Sequence, residues 1–174
     1  MPAGTVHTTR DMSRALELFR DEIIELLPRL RRFARAIARN PLDADDLVQI
    51  TVERALRKFD QWEDETRLQN WMFGIMRNAW IDEVRTRVRR DRVFAPEEAG
   101  EHIGASSGDQ DAIALQSALA QLPEEQRMAI GLVLLEGLSY KEAAEVLEVP
   151  IGTVTSRLAR AREALVAILG EGEA

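Results

Sequence analysis

Between Ser139 and Arg162 the chain spells out two short helices joined by a tight turn, the second carrying Arg157, Arg160 and Arg162. Ser139 followed three residues later by Glu142 is a capping-box pattern and predicts a helix start. Ala143, Ala144 and Leu147 form the apolar face of that helix. Glu148-Val149-Pro150 interrupts it, because proline lacks a donor and pushes its predecessor out of the α region. A second helix is expected to open near Gly152-Thr153. Its apolar positions Val154, Leu158, Ala161 and Leu165 recur at i, i+4, i+7 and i+11. The turn position where such motifs often carry glycine holds Glu148.

That spacing turns Val154, Leu158, Ala161 and Leu165 inward and leaves Ser156, Ala159 and Arg160 outward, flanked by Thr155, Arg157 and Arg162. Short side chains followed by arginines suit a helix lying in a DNA major groove. Small residues allow close approach to base edges, and arginines reach bases or neutralise phosphates. The competing reading is an amphipathic helical hairpin whose basic face is simply solvated.

Composition limits the alternatives. The 174-residue chain has no cysteine, which excludes a disulfide framework or a thiolate metal site. Its two histidines, His7 and His102, lie far apart, so no zinc centre is expected. No apolar run approaches a membrane span and no signal pattern opens the chain, so a cytoplasmic protein without membrane insertion is expected. There is no glycine-rich phosphate loop and no nucleophile with a matching histidine. Neither an enzyme nor a cofactor site is expected.

The net charge of −7 runs against a free-standing DNA binder. Yet the charge is segregated. Five arginines and no acid lie between Arg29 and Arg39, and five arginines opposed only by Asp91 lie between Arg85 and Arg92. From Val93 to Ala112 there are five acids and no Lys or Arg. Such a chain should bind DNA poorly alone and better when something else adds affinity.

No strand pattern appears, and the expected fold is all-α: two small helical domains joined by a flexible acidic linker. The expected boundaries are 11–92, 93–111 and 112–170. Glycine, serine and acids fill the middle segment without apolar periodicity. In the first unit, one helix is expected over Met12 to Leu26 and a second from Pro28. Leu30, Phe33, Ala34, Ile37 and Ala38 lie at helical spacing in the second, and Asn40-Pro41 ends it. Another helix runs from about Asp43 to Phe59, buried through Val48, Val52, Ala55, Leu56 and Phe59. A long helix from about Leu68 to Arg90 follows a loop. In the second unit, Ala112 to Gln121 is helical, and Pro123 with Glu124 and Glu125 opens a helix ending at Gly137.

Other features have two readings each. Asp43, Asp45 and Asp46 crowd a helix start, followed by Gln49; they complement the helix dipole or form a surface for a basic partner. Trp71 fits a core position, while Trp62 lies in an acidic loop and either packs or stacks on unpaired bases. Asn78, Asp82 and Arg85 share one helix face, which is a salt-bridge network or a base-reading surface.

Together these residues resemble the bacterial extracytoplasmic-function (ECF) sigma factors, from about Ile23 to Leu169 except the linker. Asp43-Ala-Asp-Asp-Leu-Val-Gln49 resembles the family's polymerase-binding helix, and Asn70 to Arg85 its promoter-melting, −10-reading helix. Leu122 to Arg127, Glu136 to Ala144 and Gly152 to Arg157 resemble its −35-reading domain. Leu27 to Arg35 further resembles the alphaproteobacterial general-stress-response branch. The resemblance implies that Asp43, Asp45, Asp46 and Gln49 dock on the clamp region of the largest subunit of core RNA polymerase. It implies that Trp62, Arg67, Arg77, Asn78 and Arg85 meet the −10 strand of promoter DNA. It also implies that Lys141, Thr153, Thr155, Ser156, Arg157, Arg160 and Arg162 meet the −35 duplex, and that an anti-sigma factor is a partner. Polymerase holding both units in register would give two weak DNA contacts avidity. The rival readings are a sigma-like decoy that titrates an anti-sigma factor and a stand-alone helix-turn-helix repressor.

Overall fold

The computed structural model describes residues 9–38, 40–63, 67–93 and 110–170, with side-chain surroundings from 12 to 90 and from 113. The acidic segment 94–109 and residues 64–66 of the loop after Trp62 lie outside the described residues. Among those described there is no strand.

The first helix, α1 (Thr9–Ile37), is continuous. The sequence predicts a break before Pro28, but proline sits inside the helix. Pro28 and Ile24, whose carbonyl loses its donor, are both on the exposed face, where water can satisfy that oxygen. The opposite face buries Phe19, Ile23, Leu30, Phe33, Ala34 and Ile37, and that burial carries the helix through the proline.

Asn40-Pro41 follows the end of α1 at Ile37, as expected, and also opens α2 (Pro41–Arg57), just before the expected start near Asp43. The Asn40 side chain accepts from the Asp43 N–H at 2.8 Å and proline occupies the first turn, where a missing donor costs nothing. Leu47, Val48 and Ala55 pack inward, and buried Thr51 satisfies its hydroxyl on the Leu47 carbonyl. Of the apolar residues expected to be buried here, Leu56 is exposed and Val52 and Phe59 are half-buried. A single 3₁₀ turn (Phe59–Gln61) leads toward α3 (Leu68–Val93). Met72, Phe73, Met76, Ala79 and Trp80 of α3 complete the core of a three-helix unit.

In the second unit, α4 (Gln110–Gln121), α5 (Glu124–Ile130) and α6 (Tyr140–Leu147) pack around α7 (Ile151–Gly170). After α5 the chain widens into a π turn (Gly131–Leu135), closed by Glu136 N–H donating to the Gly131 carbonyl at 3.0 Å. Gly137, at φ +71°, then ends the element where the sequence predicts. Helix α7 begins at Ile151, just before the expected start.

The two units rest against each other. Helix α1 meets α4, α5 and the π turn, and α3 meets α6. One hydrophobic cluster runs through both units. At its centre the Phe33 ring packs edge-on against Phe73 at 5.1 Å and faces Gly131, where an added Cβ would lie 2.8 Å from the ring. Glycine is required there for close approach.

Candidate polymerase and nucleic-acid interfaces

Helix α2 separates the four expected docking residues. Asp45, Asp46 and Gln49 are exposed on one face, three and four residues apart, and Gln49 donates to Glu53 at 3.2 Å. They form an acidic, uncovered stripe. Asp43 points the other way, into α3, where Arg87 binds it with two guanidinium nitrogens at 2.7 and 2.6 Å. This hydrogen bond holds the Asp43 carboxyl below its usual range, and Asp43 in turn raises Arg87. Behind these residues a cleft of about 80 Å³ reaches Trp80. That is well below the roughly 300 Å³ at which small-molecule pockets begin.

The expected −10 residues take three different positions. Trp62 is half-buried with its ring 5.4 Å from Phe19, and Trp71 is half-buried against the same ring at 6.1 Å. Asn78 and Arg85 are exposed along α3, and Asp82 on their face pairs with Arg54 at 3.1 Å. Arg67 and Arg77 face the second unit. Arg67 pairs with Glu142 at 3.3 Å, while Arg77 donates to the Val146 carbonyl at 3.2 Å and to Glu148 at 2.8 Å. Arg77 also donates to Asn78 Oδ1 from Nε at 3.0 Å. Its side chain is only 9% exposed.

The second unit presents the helix pair with a defined outer face. Val154, Leu158 and Ala161 are buried, and Leu165 is half-buried. Thr155, Ser156, Ala159, Arg160 and Arg162 are exposed, as is Lys141 on α6, and Thr153 is half-buried. The Thr155 and Ser156 hydroxyls donate back to the Ile151 and Thr153 carbonyls, which keeps their side chains short against the helix surface. Arg157 turns aside to Glu125 at 3.1 Å, with 19% of its side chain exposed. Buried Arg127 donates to the Leu122 carbonyl at 2.9 Å and ties the α4–α5 corner to α5.

Residues 23–90 match the Sigma-70 region 2 family and residues 112–165 match Sigma-70, region 4. The ECF RNA polymerase sigma factor EcfG of Rhodopseudomonas palustris (strain TIE-1) is 37% identical over 153 residues, covering 86% of this chain and 84% of the relative. The chain is an ECF RNA polymerase sigma factor. The ECF RNA polymerase sigma factor SigC of Mycobacterium tuberculosis (strain CDC 1551 / Oshkosh) is 37% identical over 127 residues, 71% of this chain and 69% of that one. Among solved structures, the sigma factor RpoE of Bartonella quintana, in complex with the anti-sigma factor NepR, superposes with a TM-score of 0.79. It is 35% identical, and the match covers 87% of this chain and 96% of that one.

As a sigma factor, the chain binds RNA polymerase and promoter DNA and acts as a transcription regulator. No helix among the described residues is long and apolar enough to cross a membrane.

Sequence reasoning missed the sigma factor's inter-unit contacts. Glu136, directly after the π turn, is held from α1 by Arg29 at 2.9 Å and Arg32 at 2.7 Å, with 0% of its side chain exposed. Arg29 also donates to the Glu136 carbonyl at 2.6 Å and to Gln69 of α3. An acid closing the apolar run Gly131 to Leu135 was the available signal. Glu148 was the other. It stands at φ +54° and ψ +45°, a left-handed conformation costing a non-glycine residue about 1–2 kcal/mol.

Proposed function

We propose that this sigma factor docks on the polymerase through the exposed acidic stripe Asp45, Asp46 and Gln49. Asp43 serves as its intramolecular anchor. Asn78 and Arg85 meet the −10 strand from α3, with Arg67 and Arg77 at the end of that surface nearest the second unit and Trp62 packed on Phe19 beside it. Thr155, Ser156, Arg160 and Arg162 of α7 read the −35 duplex, with Lys141 alongside and Thr153 and Arg157 at its margin. Residues 11–92 and 112–170 act as separate promoter-reading units, with 93–111 between them.

One observation carries this reading. On α7 the residues of an inward stripe are buried, and those opposite are short polar side chains followed by arginine. A helix that were only a solvated face would need no such order.

The RpoE neighbour was solved with an anti-sigma factor, and EcfG is among the relatives. These support control by an anti-sigma factor, in the general-stress-response branch.

Run-off transcription with purified core polymerase on genomic promoter fragments tests the reading. The wild-type chain is expected to give promoter-specific transcripts, and Asp46→Arg to abolish them without unfolding, because Asp46 is exposed. Initiation that survives Asp46→Arg would remove the docking assignment. No initiation by wild type would favour a decoy, and tight sequence-specific duplex binding by the chain alone would favour a repressor.

A further inference from the structure

The two flanks of α7 are unequal. Successive helical residues stand about 100° apart, so Thr155 and Arg162 lie to one side of Ser156, and Thr153, Arg157 and Ala164 to the other. The first flank is exposed, whereas all three residues of the second are half-buried. Helix α5 packs on α7, and Glu125 in its first turn meets this second flank. Arg157 Nη2 lies 3.1 Å from Glu125 Oε2.

Arg157 is the more buried member of this pair, and Glu125 keeps 72% of its side chain exposed. A carboxylate beside a DNA-reading helix is unfavourable by itself, because it repels phosphate. What it offers is direction. The stripe that seats α7, Val154, Leu158 and Ala161, is apolar, and apolar burial is non-directional. Such a seat allows small rolls of the helix about its own axis, which a charge-assisted bond at one flank opposes. The Thr155 and Ser156 hydroxyls bond to carbonyls of α7 itself, so the direction they face follows that roll.

We propose that Glu125 and Arg157 are a positioning pair for −35 reading. Arg157 is a strut from α7 to α5 and not a contact to DNA. Glu125 holds the roll at which Ser156, Ala159 and Arg160 face the duplex. It thereby serves DNA binding through another residue, although its own charge opposes that binding. The inference rests on assigning the outer face of α7 to the −35 duplex.

The test is fluorescence anisotropy of the full chain bound to core polymerase, on matched and mismatched −35 duplexes over a range of salt. Removing a negative charge near DNA normally tightens binding. The positioning role predicts the opposite sign. Glu125→Gln is expected to weaken matched-duplex binding roughly twofold to fivefold, the range of an exposed ion pair, and to narrow the gap to the mismatched duplex. Arg157→Gln is expected to do the same with an unchanged slope of log affinity against log salt, whereas a lost phosphate contact lowers that slope by about one. Exchanging the charges, Glu125→Arg with Arg157→Glu, should recover the matched-to-mismatched ratio lost in Arg157→Glu alone. Neither the slope nor the ratio scales with the folded fraction, so a destabilised variant still gives an answer. Tighter binding by Glu125→Gln overturns the proposal, as does a slope reduced by about one in Arg157→Gln. An exchange variant no more selective than Arg157→Glu overturns it too. The wild-type ratio reports separately on α7 as the reader: equal binding to both duplexes would remove the −35 assignment itself, and this inference with it.

Discussion

Arg87 holds Asp43 across the α2–α3 interface through two parallel bonds, Nη1 to Oδ2 at 2.7 Å and Nη2 to Oδ1 at 2.6 Å. A fork of this kind fixes direction as well as distance. It orients the start of α2 on α3, and so sets where the stripe Asp45, Asp46 and Gln49 points. Arg87 is further placed by Glu83 at 2.9 Å and lies 5.9 Å from the centre of the Trp80 ring.

Asp43→Asn is expected to lower stability by about 1–2 kcal/mol at neutral pH, typical of a charge-assisted bond with partial solvent access. The Asp43 carboxyl is held below its usual range by the Arg87 hydrogen bond. The folded state therefore binds this proton less readily than the unfolded one. The stabilisation is fully present above about pH 4 and is lost as pH falls through the lower folded value. Thermal melts of wild type and variant should differ at neutral pH and converge in strong acid. A gap that stayed constant into strong acid would mean that Asp43 acts through packing and not through its charge.

Ser139→Ala should cost about 1 kcal/mol, the usual loss for a removed N-cap. Glu142 accepts from the Ser139 backbone at 2.9 Å and its hydroxyl at 2.9 Å, and these bonds hold its carboxyl below the usual range. In the variant the Glu142 carboxyl should titrate closer to an ordinary glutamate, followed by NMR. An unchanged titration would show that the backbone bond alone sets it.

Gly131→Ala should destabilise the chain, although alanine normally favours a helix by about 1 kcal/mol. The new Cβ would stand 2.8 Å from the Phe33 ring, which is itself packed on Phe73. Overpacking of this kind costs about 1–3 kcal/mol. Urea unfolding measures it, and a variant more stable than wild type would show that the π turn does not rest on Phe33 in solution.

Arg160→Ala should leave the melting temperature unchanged, because the side chain is exposed on α7. Binding of the polymerase-bound chain to a −35 duplex should weaken by about 1–3 kcal/mol if Arg160 reads a base. Fluorescence anisotropy against matched and mismatched duplexes decides this. Equal loss on both would reassign Arg160 to a phosphate.

Local signals in the chain were dependable where one residue and its near neighbours settle the matter. The capping box at Ser139 and Glu142, the inward stripe of α7 and the glycine at 137 all stand as the sequence predicts. Pro28 lies inside a helix and not at its expected start, whereas Asn40-Pro41 follows the end of α1 at Ile37, as the sequence predicts, and also opens α2. Proline signals both a break and a first turn, and which applies depends on whether the lost carbonyl partner faces water or core. The exposure of Ile24 and Pro28 decided the first case, and the Asn40 cap decided the second.

Among the site residues, sequence spacing put Asp43 beside Asp45 and Asp46 because all three lie in one helical turn. It could not show that Arg87, 44 residues on, would claim only the first. Likewise the resemblance puts Arg77 with Asn78 and Arg85 toward the −10 strand, and sequence could not show that Val146 and Glu148 of the opposing unit would bind it.

The amino-acid order by itself determined that this chain is helical, that it has two units, and that α7 turns arginines outward. Those properties follow from periodicity and capping, which act over a few residues. Tertiary structure alone decided which charges stay available. An ion pair is chosen by proximity in space, and Glu136 with Arg29 and Arg32, or Glu148 with Arg77, become neighbours only when the two units close on each other.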